Sequence, residues 1–530
     1  MTLATVAAAS GEEITPFDLY RTQKPIFHAF AEARAKFGGK KPAIVDVDER
    51  VLNYDEVLRA TLALGHALKK GTRSGDTVGV MLPTGAGATI AFLALSAYGR
   101  VPAMLNFTSG AASLKSALRT AQVKRVVTAR RFIDVGGFQG LVNELARDYE
   151  IIYLEDVRAK ISLTDKIAAV AGTYLPKFVT SHAAQDKPAV ILFTSGTEGE
   201  PKGVALSHRN ILANIEQVRA HLAFYETDIL FNPLPAFHCF GLTVGALTPL
   251  LLGIKQVCHP TPLQPKEIVR RIKDTGATIL LTTDTFISQY ARVGEQGDLN
   301  SLRLCVCGAE RLRDETRQLL RKKYSIELLE GYGVTETAPV IAANQPGANR
   351  SGTVGRLMQG MQARLEPAEG IANAGRLFVK GPNVMLGYIR PENPGVIEPP
   401  PGGWHDTGDV VSIDDEGFIA IKGRLKRFAK IGGETVSLAV VESIASALWP
   451  DHAHAAVALQ TEGKKGEQIV LVTTNLEANR IDLVGWAHNH GVPDLAVPRI
   501  IVPVEEVPVL GTGKTNYGSV EKMAKAAMVQ

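Results

Sequence analysis

Apolar positions along the chain fall into two alternating rhythms. Between residues 42 and 260, stretches with helical spacing alternate with short apolar runs: residues 55–70 read as a helix, 77–81 as a strand, 88–97 as a helix and 101–106 as a strand. The rhythm resumes with strands at 277–282, 302–307 and 325–330 and a helix at 314–323. Such alternation predicts parallel sheets covered by helices. From residue 352 to 423 the texture changes to short β-rich pieces separated by Gly and Pro, including 374–380 and 417–422, which predicts a small barrel or sandwich. A basic segment, residues 423–430, then leads into a last unit that again mixes helix and strand, with a boundary close to Lys426.

The 530 residues exceed what one hydrophobic core supports, so two or more domains are expected. A formal net charge of +4 is too mild for a dedicated nucleic-acid binder. The four cysteines, Cys239, Cys258, Cys305 and Cys307, build neither a disulfide framework nor two C-x-x-C pairs, which points to a reducing compartment. Cys305 and Cys307 alternate inside an apolar run and read as buried strand residues, so no zinc site is expected. The start, MTLATVAAASGEE, lacks a basic region before its apolar residues and reads as a loose tail rather than a secretory signal. The longest apolar runs, such as 244–253, fall short of the roughly 20 residues a spanning helix needs. The expectation is a cytoplasmic protein with at most peripheral contact at the inner face of the membrane.

Five polar, Gly-bearing segments fall at expected strand ends, where open α/β sheets place ligands. The first, TSGTEGEPKG at 194–203, follows the apolar run 189–194 and reads as a phosphate-wrapping loop. Gly196, Gly199 and Gly203 permit close backbone approach, Ser195 and Thr197 offer hydroxyls, Lys202 offers a cation, and the helical pattern after His208-Arg209-Asn210 offers an anion-favouring N-terminus. A polar surface turn has the same composition. The others are PAFHCFG at 235–241, GYGVTET at 331–337, GWHDTGD at 403–409 and GTGK at 511–514. GTGK is not a Walker loop, because the first glycine that motif requires would fall at Pro508.

In this order the five segments resemble the adenylate-forming superfamily, which includes acyl-CoA synthetases, luciferases and peptide-synthetase adenylation domains. Within it, TSGTEG at 194–199, KRFAKIGGETVSL at 426–438 and HGVPDLAVPR at 490–499 look most like the acyl-ACP synthetase part of bifunctional 2-acylglycerophosphoethanolamine acyltransferase/acyl-ACP synthetases. The resemblance implies an α/β fold: a large N-terminal adenylation domain, residues 1–425, of two helix-covered sheets with a β-barrel-like subdomain at about 350–423, and a small mobile α+β C-terminal domain, residues 426–530. It implies activation of a medium- or long-chain fatty acid with ATP and Mg2+ to an acyl-adenylate, then transfer to the phosphopantetheine thiol of acyl carrier protein.

The resemblance also assigns roles. Thr194, Ser195, Gly196, Thr197, Glu198, Gly199 and Lys202 would wrap the phosphates. Glu336 would be the Mg2+ carboxylate, since Mg2+ favours hard oxygen ligands shared with phosphates, and Thr335 would donate to the α-phosphate. A capped helix start is the bland alternative for that pair. Gly308, Ala309 and Glu310, with Gly331, Tyr332 and Gly333, would line the adenine pocket. Asp409 would accept from both ribose hydroxyls, helped by Arg424. A lone His in an apolar setting is usually a satisfied core residue, but the resemblance gives His238 a place beside the acyl channel as a substrate-positioning residue. Lys514 would bridge carboxylate and α-phosphate during adenylation, and Lys426 would be the hinge on which the C-terminal domain turns.

Three positions depart from the commoner family pattern, Arg427 (often Asp), Leu438 (often Pro) and Glu198 (often Thr), and all agree with the acyl-ACP synthetase subgroup. Lys426, Arg427 and Lys430 read equally as a basic face for an acidic carrier protein and as a solvated linker. The alternatives are a fatty-acyl-CoA ligase of the same mechanism and a non-catalytic acyl-adenylate-binding protein. An H-x-x-x-x-D acyltransferase pair is missing: His182 and Asp186, and His490 and Asp494, are each one residue too close, so lysophospholipid acylation would need a separate acyltransferase.

Overall fold

The computed structural model describes residues 16–161, 163–195, 200–368, 373–431, 434–460, 467–490, 492–509 and 515–529. They divide into two compact units. One comprises Met1–Arg350, Gly355–Gln362 and Lys380–His405, the other Ser351–Val354, Ala363–Val379 and Asp406–Gln530.

The first unit contains two large sheets. In one, strands Pro42–Val45, Lys255–Cys258, Ile229–Asn232, Ile279–Thr282, Leu304–Cys307 and Leu328–Gly333 lie side by side and parallel, with antiparallel strands Val51–Asn53, Val340–Ala343 and Arg356–Leu357 at the edges. In the other, Glu150–Tyr153, Arg125–Thr128, Thr77–Val80, Val101–Met104 and Pro188–Ser195 run parallel, and Pro201–Ser207, Gly387–Ile389 and Ile397–Glu398 continue it antiparallel. Strands with helices on both faces need apolar side chains on both, which explains unbroken runs such as Ile279–Thr282 and Leu304–Cys307, buried at every position. Cys305 and Cys307 are free and buried as expected, and burial pushes the Cys305 thiol up to about 12.

The helix expected at 55–70 is Tyr54–Leu68, started by a capping box between Asn53 and Glu56. Two expectations shift. The strand expected at 325–330 is Leu328–Gly333, because Ser325, at φ 58°, ends the preceding helix Asp314–Tyr324 and delays the strand by three residues. Gly331-Tyr332-Gly333 therefore sits inside the strand, paired to Ala343, Ala342 and Val340. The anion-favouring helix start is also misplaced relative to the 194–203 loop. Helix His208–Arg219 begins beyond the seven-residue strand Pro201–Ser207, roughly 20 Å of extended chain away from the loop. Ser207 and Asn210 already cap it.

The second unit holds a four-stranded sheet, Gln362–Pro367, Gly375–Lys380, His405–Ile413 and Ile419–Arg424. After it come the hairpin Phe428–Ile431/Glu434–Ser437 and a three-stranded sheet of His454–Gln460, Glu467–Thr473 and Ile500–Pro503. Alternation along His454–Gln460 sends Ala456 towards Val441, Ile444 and Leu483, and sends Ala455, Val457 and Leu459 towards Val520 and Ala524 of the last helix. The result is the expected α+β arrangement.

Candidate functional site

Three of the five sequence segments converge in the first unit at the C-terminal ends of parallel strands. Strand Pro188–Ser195 returns as Pro201–Ser207 in an antiparallel hairpin with Thr194 opposite Lys202. The hairpin tip, Gly196, Thr197, Glu198 and Gly199, lies outside the described residues, as does the Ser195 side chain. Strand Gly387–Ile389 pairs with the other edge of Pro201–Ser207, setting Tyr388 opposite Val204. From there the Tyr388 hydroxyl donates to Glu336 Oε1 at 2.6 Å, and Lys202 Nζ stands 5.6 Å from the centre of the Tyr388 ring. Lys202, Tyr388 and Glu336 thus form one cluster of a cation, a phenol and a carboxylate.

Glu336 lies in the short turn Thr335–Thr337 between strands Leu328–Gly333 and Val340–Ala343. The turn is fixed from several sides: the Met385 N–H donates to the Glu336 carbonyl at 2.8 Å, and the Asn383 side chain donates to the Thr337 carbonyl at 2.7 Å. Thr335 and Glu336 are both half-buried. Gly333 is required where it stands, since a Cβ there would lie 2.1 Å from the Pro339 carbonyl oxygen.

A narrow, mostly apolar cavity of about 70 Å3 opens beside this turn. Gly308, Ala309, Gly331, Tyr332 and Gly333 line one side, and Phe240, Val244, Leu281 and Val306 are among the apolar side chains lining the rest. A Cβ on Gly308 would come within 3.2 Å of the Phe240 ring, so glycine there keeps the passage open. Glu310 faces elsewhere: its carboxylate accepts from the Thr285 N–H at 3.0 Å, and burial raises its pKa.

Phe240 and Val244 belong to the π-type helix Phe240–Leu247, which His238 and Cys239 precede. Irregular helices of this kind are frequent at functional sites. The loop before it is braced by Thr84, whose hydroxyl donates to the Leu234 carbonyl at 2.7 Å and accepts from the Ala236 N–H at 3.0 Å. His238 is half-buried, with its ring 5.3 Å from that of Phe237. Burial pushes the Cys239 thiol up to about 12, and the Glu336 carboxylate adds to that rise, so this thiol stays protonated and inert at neutral pH.

In the second unit Asp409 lies on strand His405–Ile413 directly opposite Arg424, and Arg424 Nε reaches Asp409 Oδ1 at 3.0 Å. The Asp409 side chain is 4% exposed and that of Arg424 65%, a buried carboxylate held by a solvent-facing guanidinium. The backbone of Lys426 lies in the short turn Leu425–Arg427, while its side chain and all of Lys514 lie outside the described residues.

Arg427 corrects one expectation. It donates to Glu442 Oε1 at 2.7 Å and to the Ala456 carbonyl at 2.8 Å, and its guanidinium lies 3.6 Å from the centre of the Tyr517 ring. Tyr517 in turn donates to Glu442, and burial pushes its hydroxyl up to about 12. With its side chain 16% exposed, Arg427 is an internal anchor of the last helix and is not available to a docking face.

Sequence reasoning missed Tyr388. A three-residue strand carries no periodic signal, and the proximity of Tyr388 to Glu336 exists only through long-range pairing. No group of three His, Cys, Asp or Glu side chains able to hold a metal occurs among the described residues. Glu336, half-buried and hydrogen-bonded to Tyr388, is the carboxylate of this cluster that could meet a Mg2+ ion shared with phosphate oxygens.

The model of the AMP-binding enzyme family matches residues 30–389. The chain is 29% identical to a medium-chain fatty-acid–CoA ligase of Escherichia coli (strain K12), over 89% of this chain and 86% of that protein. It is 27% identical to a long-chain-fatty-acid–CoA ligase of Salmonella typhimurium, over 95% and 94%. Among solved structures, ATP-bound MatB from Rhodopseudomonas palustris superimposes with a TM-score of 0.80 at 26% identity, covering 94% of this chain and 99% of MatB. The fold is also that of o-succinylbenzoate coenzyme A synthetase from Bacillus subtilis, solved with ATP and magnesium ion, at a TM-score of 0.78 and 20% identity, covering 93% of this chain and 99% of that one.

Proposed function

The chain belongs to the AMP-binding enzyme family, and from that premise we propose that it activates a medium- or long-chain fatty acid with ATP and transfers the acyl group to the phosphopantetheine thiol of acyl carrier protein. The observation that carries the fatty-acid reading is the apolar side of the cavity, formed by Phe240, Val244, Leu281 and Val306 of the π-type helix and strands Ile279–Thr282 and Leu304–Cys307, while the side lined by Gly308, Ala309, Gly331, Tyr332 and Gly333 is left to adenine. An apolar pocket with a few polar groups at one end suits a substrate with a long hydrocarbon body and a single reactive head.

In the first step a carboxylate oxygen of the acid attacks the α-phosphorus of ATP and pyrophosphate leaves. Thr335 donates to an α-phosphate oxygen, Lys202 and the 194–199 hairpin hold the β- and γ-phosphates, and Glu336, kept in position by Tyr388, is the carboxylate for Mg2+. That ion, when bound, neutralises charge on the phosphate oxygens. His238 borders the acid. Lys514 offsets the repulsion between the incoming carboxylate and the α-phosphate. Asp409, held by Arg424, accepts from the ribose hydroxyls. In the second step the thiol attacks the acyl-adenylate carbonyl and AMP leaves, the C-terminal residues turning at Lys426 between steps.

CoA is the second reading of the acceptor, favoured by the named activities of the bacterial relatives and by the internal engagement of Arg427. The test is pyrophosphate release across a fatty-acid series with carrier protein and CoA supplied in parallel. Saturable release with medium- or long-chain acids and thioester on the carrier protein is expected. Thioester on CoA alone would assign the second reading, and turnover confined to small or aromatic acids would overturn the fatty-acid substrate.

A further inference from the structure

Residues 163–179 of the first unit expose apolar side chains in a pattern that the ligase chemistry does not use. Helix Leu163–Gly172 packs inward through Ala169 and Gly172, the latter so close that a Cβ would lie 3.2 Å from Leu62 of helix Tyr54–Leu68. Its opposite side is apolar as well: Ile167, Val170, Ala171 and Tyr174, at helical spacings of three, four and seven, line a shallow surface groove. Leu175, and Phe178 and Val179 of the following turn Pro176–Val179, are again exposed. Tyr174 and Phe178 are each 80% exposed. Monomeric proteins rarely leave so many large apolar side chains contiguous in water, and such patches mark interaction sites.

The charges around this patch select its partner. Between residues 157 and 182 the sequence carries four basic side chains, Arg158, Lys160, Lys166 and Lys177, against one acid, Asp165. Arg158 and Lys160 are exposed. The acids that flank that interval in sequence are engaged: Asp156 by Arg130 at 2.6 Å, Glu155 by the backbone N–H groups of Arg130 and Arg131, and Asp186 by Arg209 at 2.9 Å. Glu32 is shared by Lys177 at 2.6 Å and Lys24 at 2.5 Å, so that triad keeps a net positive charge. Aromatic and aliphatic side chains flanked by lysine and arginine are the composition of a helix that lies in the headgroup region of a membrane. Each basic residue near an anionic surface adds attraction that salt screens.

We propose that residues 163–179 dock this protein peripherally onto a lipid bilayer bearing anionic headgroups, with Ile167, Val170, Tyr174, Leu175 and Phe178 entering the interface. A bilayer-facing surface suits a substrate that partitions into bilayers, and in that purpose it rests on the proposed fatty-acid reading.

The test is co-sedimentation of the full chain with vesicles of phosphatidylcholine alone and of phosphatidylcholine mixed with phosphatidylglycerol, at low and high salt, without ATP or fatty acid. Binding to the anionic vesicles that falls with salt is expected. Tyr174→Ser with Phe178→Ser should weaken it at least about tenfold. Both side chains are exposed, so the unfolding midpoint should be unchanged; should the double variant unfold, Phe178→Ser alone serves. Equal sedimentation of variant and wild type, or equal binding to neutral and anionic vesicles, would overturn the proposal. So would self-association in place of vesicle binding, abolished by the same substitutions, which would assign the patch to a second copy of the chain. Vesicle binding without pyrophosphate release would overturn the proposed reaction and leave the docking surface standing.

Discussion

Replacing Tyr388 by Phe isolates the contribution of one hydrogen bond to the Glu336 carboxylate. The substitution deletes only a hydroxyl. The ring keeps its place in strand Gly387–Ile389, its edge-on contact with His405 at 6.3 Å and its proximity to Lys202. What disappears is the 2.6 Å bond to Glu336 Oε1. Hydrogen bonds to charged groups are worth about 1.5–3 kcal/mol, and the half-exposed carboxylate brings the expected loss to about 1–2 kcal/mol. If Glu336 must be held in one rotamer to meet Mg-ATP, that loss falls on the adenylation barrier, a decrease of about 5- to 30-fold. ATP–pyrophosphate exchange, measured against Mg2+ concentration at a fixed fatty-acid level, reads it directly. The expected result is a 5- to 30-fold drop in kcat/KM for Mg-ATP, by the same arithmetic, with thiol transfer from preformed acyl-adenylate unchanged. Wild-type exchange in the variant, or equal loss in the two half-reactions, would refute the positioning of Glu336 by Tyr388.

Three further outcomes follow from the structure. Gly333→Ala forces a Cβ to 2.1 Å from a backbone oxygen and should cost roughly 2–4 kcal/mol in denaturant unfolding, whereas Gly331→Ala, whose Cβ would meet nothing nearer than 3.7 Å, should cost under about 1 kcal/mol. Arg427→Ala leaves Glu442 without its cation and Tyr517 without its stacked partner, and should destabilise the second unit by about 2–3 kcal/mol, read as a lower unfolding midpoint for that unit. Burial, with repulsion between His28 and both His182 and Lys177, holds His28 at about 4, and burial together with His28 holds His208 at about 4. Both are therefore neutral in the folded chain, while an unfolded histidine titrates near about 6.5. The unfolded state binds more protons across that window, so stability is full above about pH 6.5 and is lost as pH falls towards 4. Unfolding midpoints against pH should show that decline; His221 and His259, also held at about 4 by burial, contribute part of it, so His28→Gln with His208→Asn should reduce the slope without abolishing it, and an unchanged slope would contradict the account.

Where a local signal decided the structure, the sequence was enough. The helix at Tyr54–Leu68 follows from its apolar spacing and Asn53 cap, and the strand holding Cys305 and Cys307 from an apolar run that only a doubly covered sheet can bury. Local signals failed where the outcome rests on distant pairing. Tyr388 meets Glu336 because strand Gly387–Ile389 adds to the edge of Pro201–Ser207, a contact that no spacing near residue 388 encodes. The basic composition of 423–430 reads equally as a docking face and as a solvated linker, yet Arg427 is neither: it turns inward to Glu442, a carboxylate supplied by the following helix. The helix at His208 offers an anion-favouring N-terminus just after the glycine-rich loop in sequence, but seven residues of strand carry it to the far end of the hairpin. The apolar face of helix Leu163–Gly172 has the periodicity of a core element, and only its exposure sets it apart.

The proposed chemistry requires cleavage of ATP between the α- and β-phosphates with the acid joined to AMP. The most direct measurement supplies fatty acid and ATP labelled at the α-phosphate, without thiol, and resolves the nucleotide products. The label should appear in acyl-AMP with release of unlabelled pyrophosphate, and Glu336→Gln should suppress both. Label recovered in ADP with release of inorganic phosphate would contradict an adenylate-forming reaction at this site.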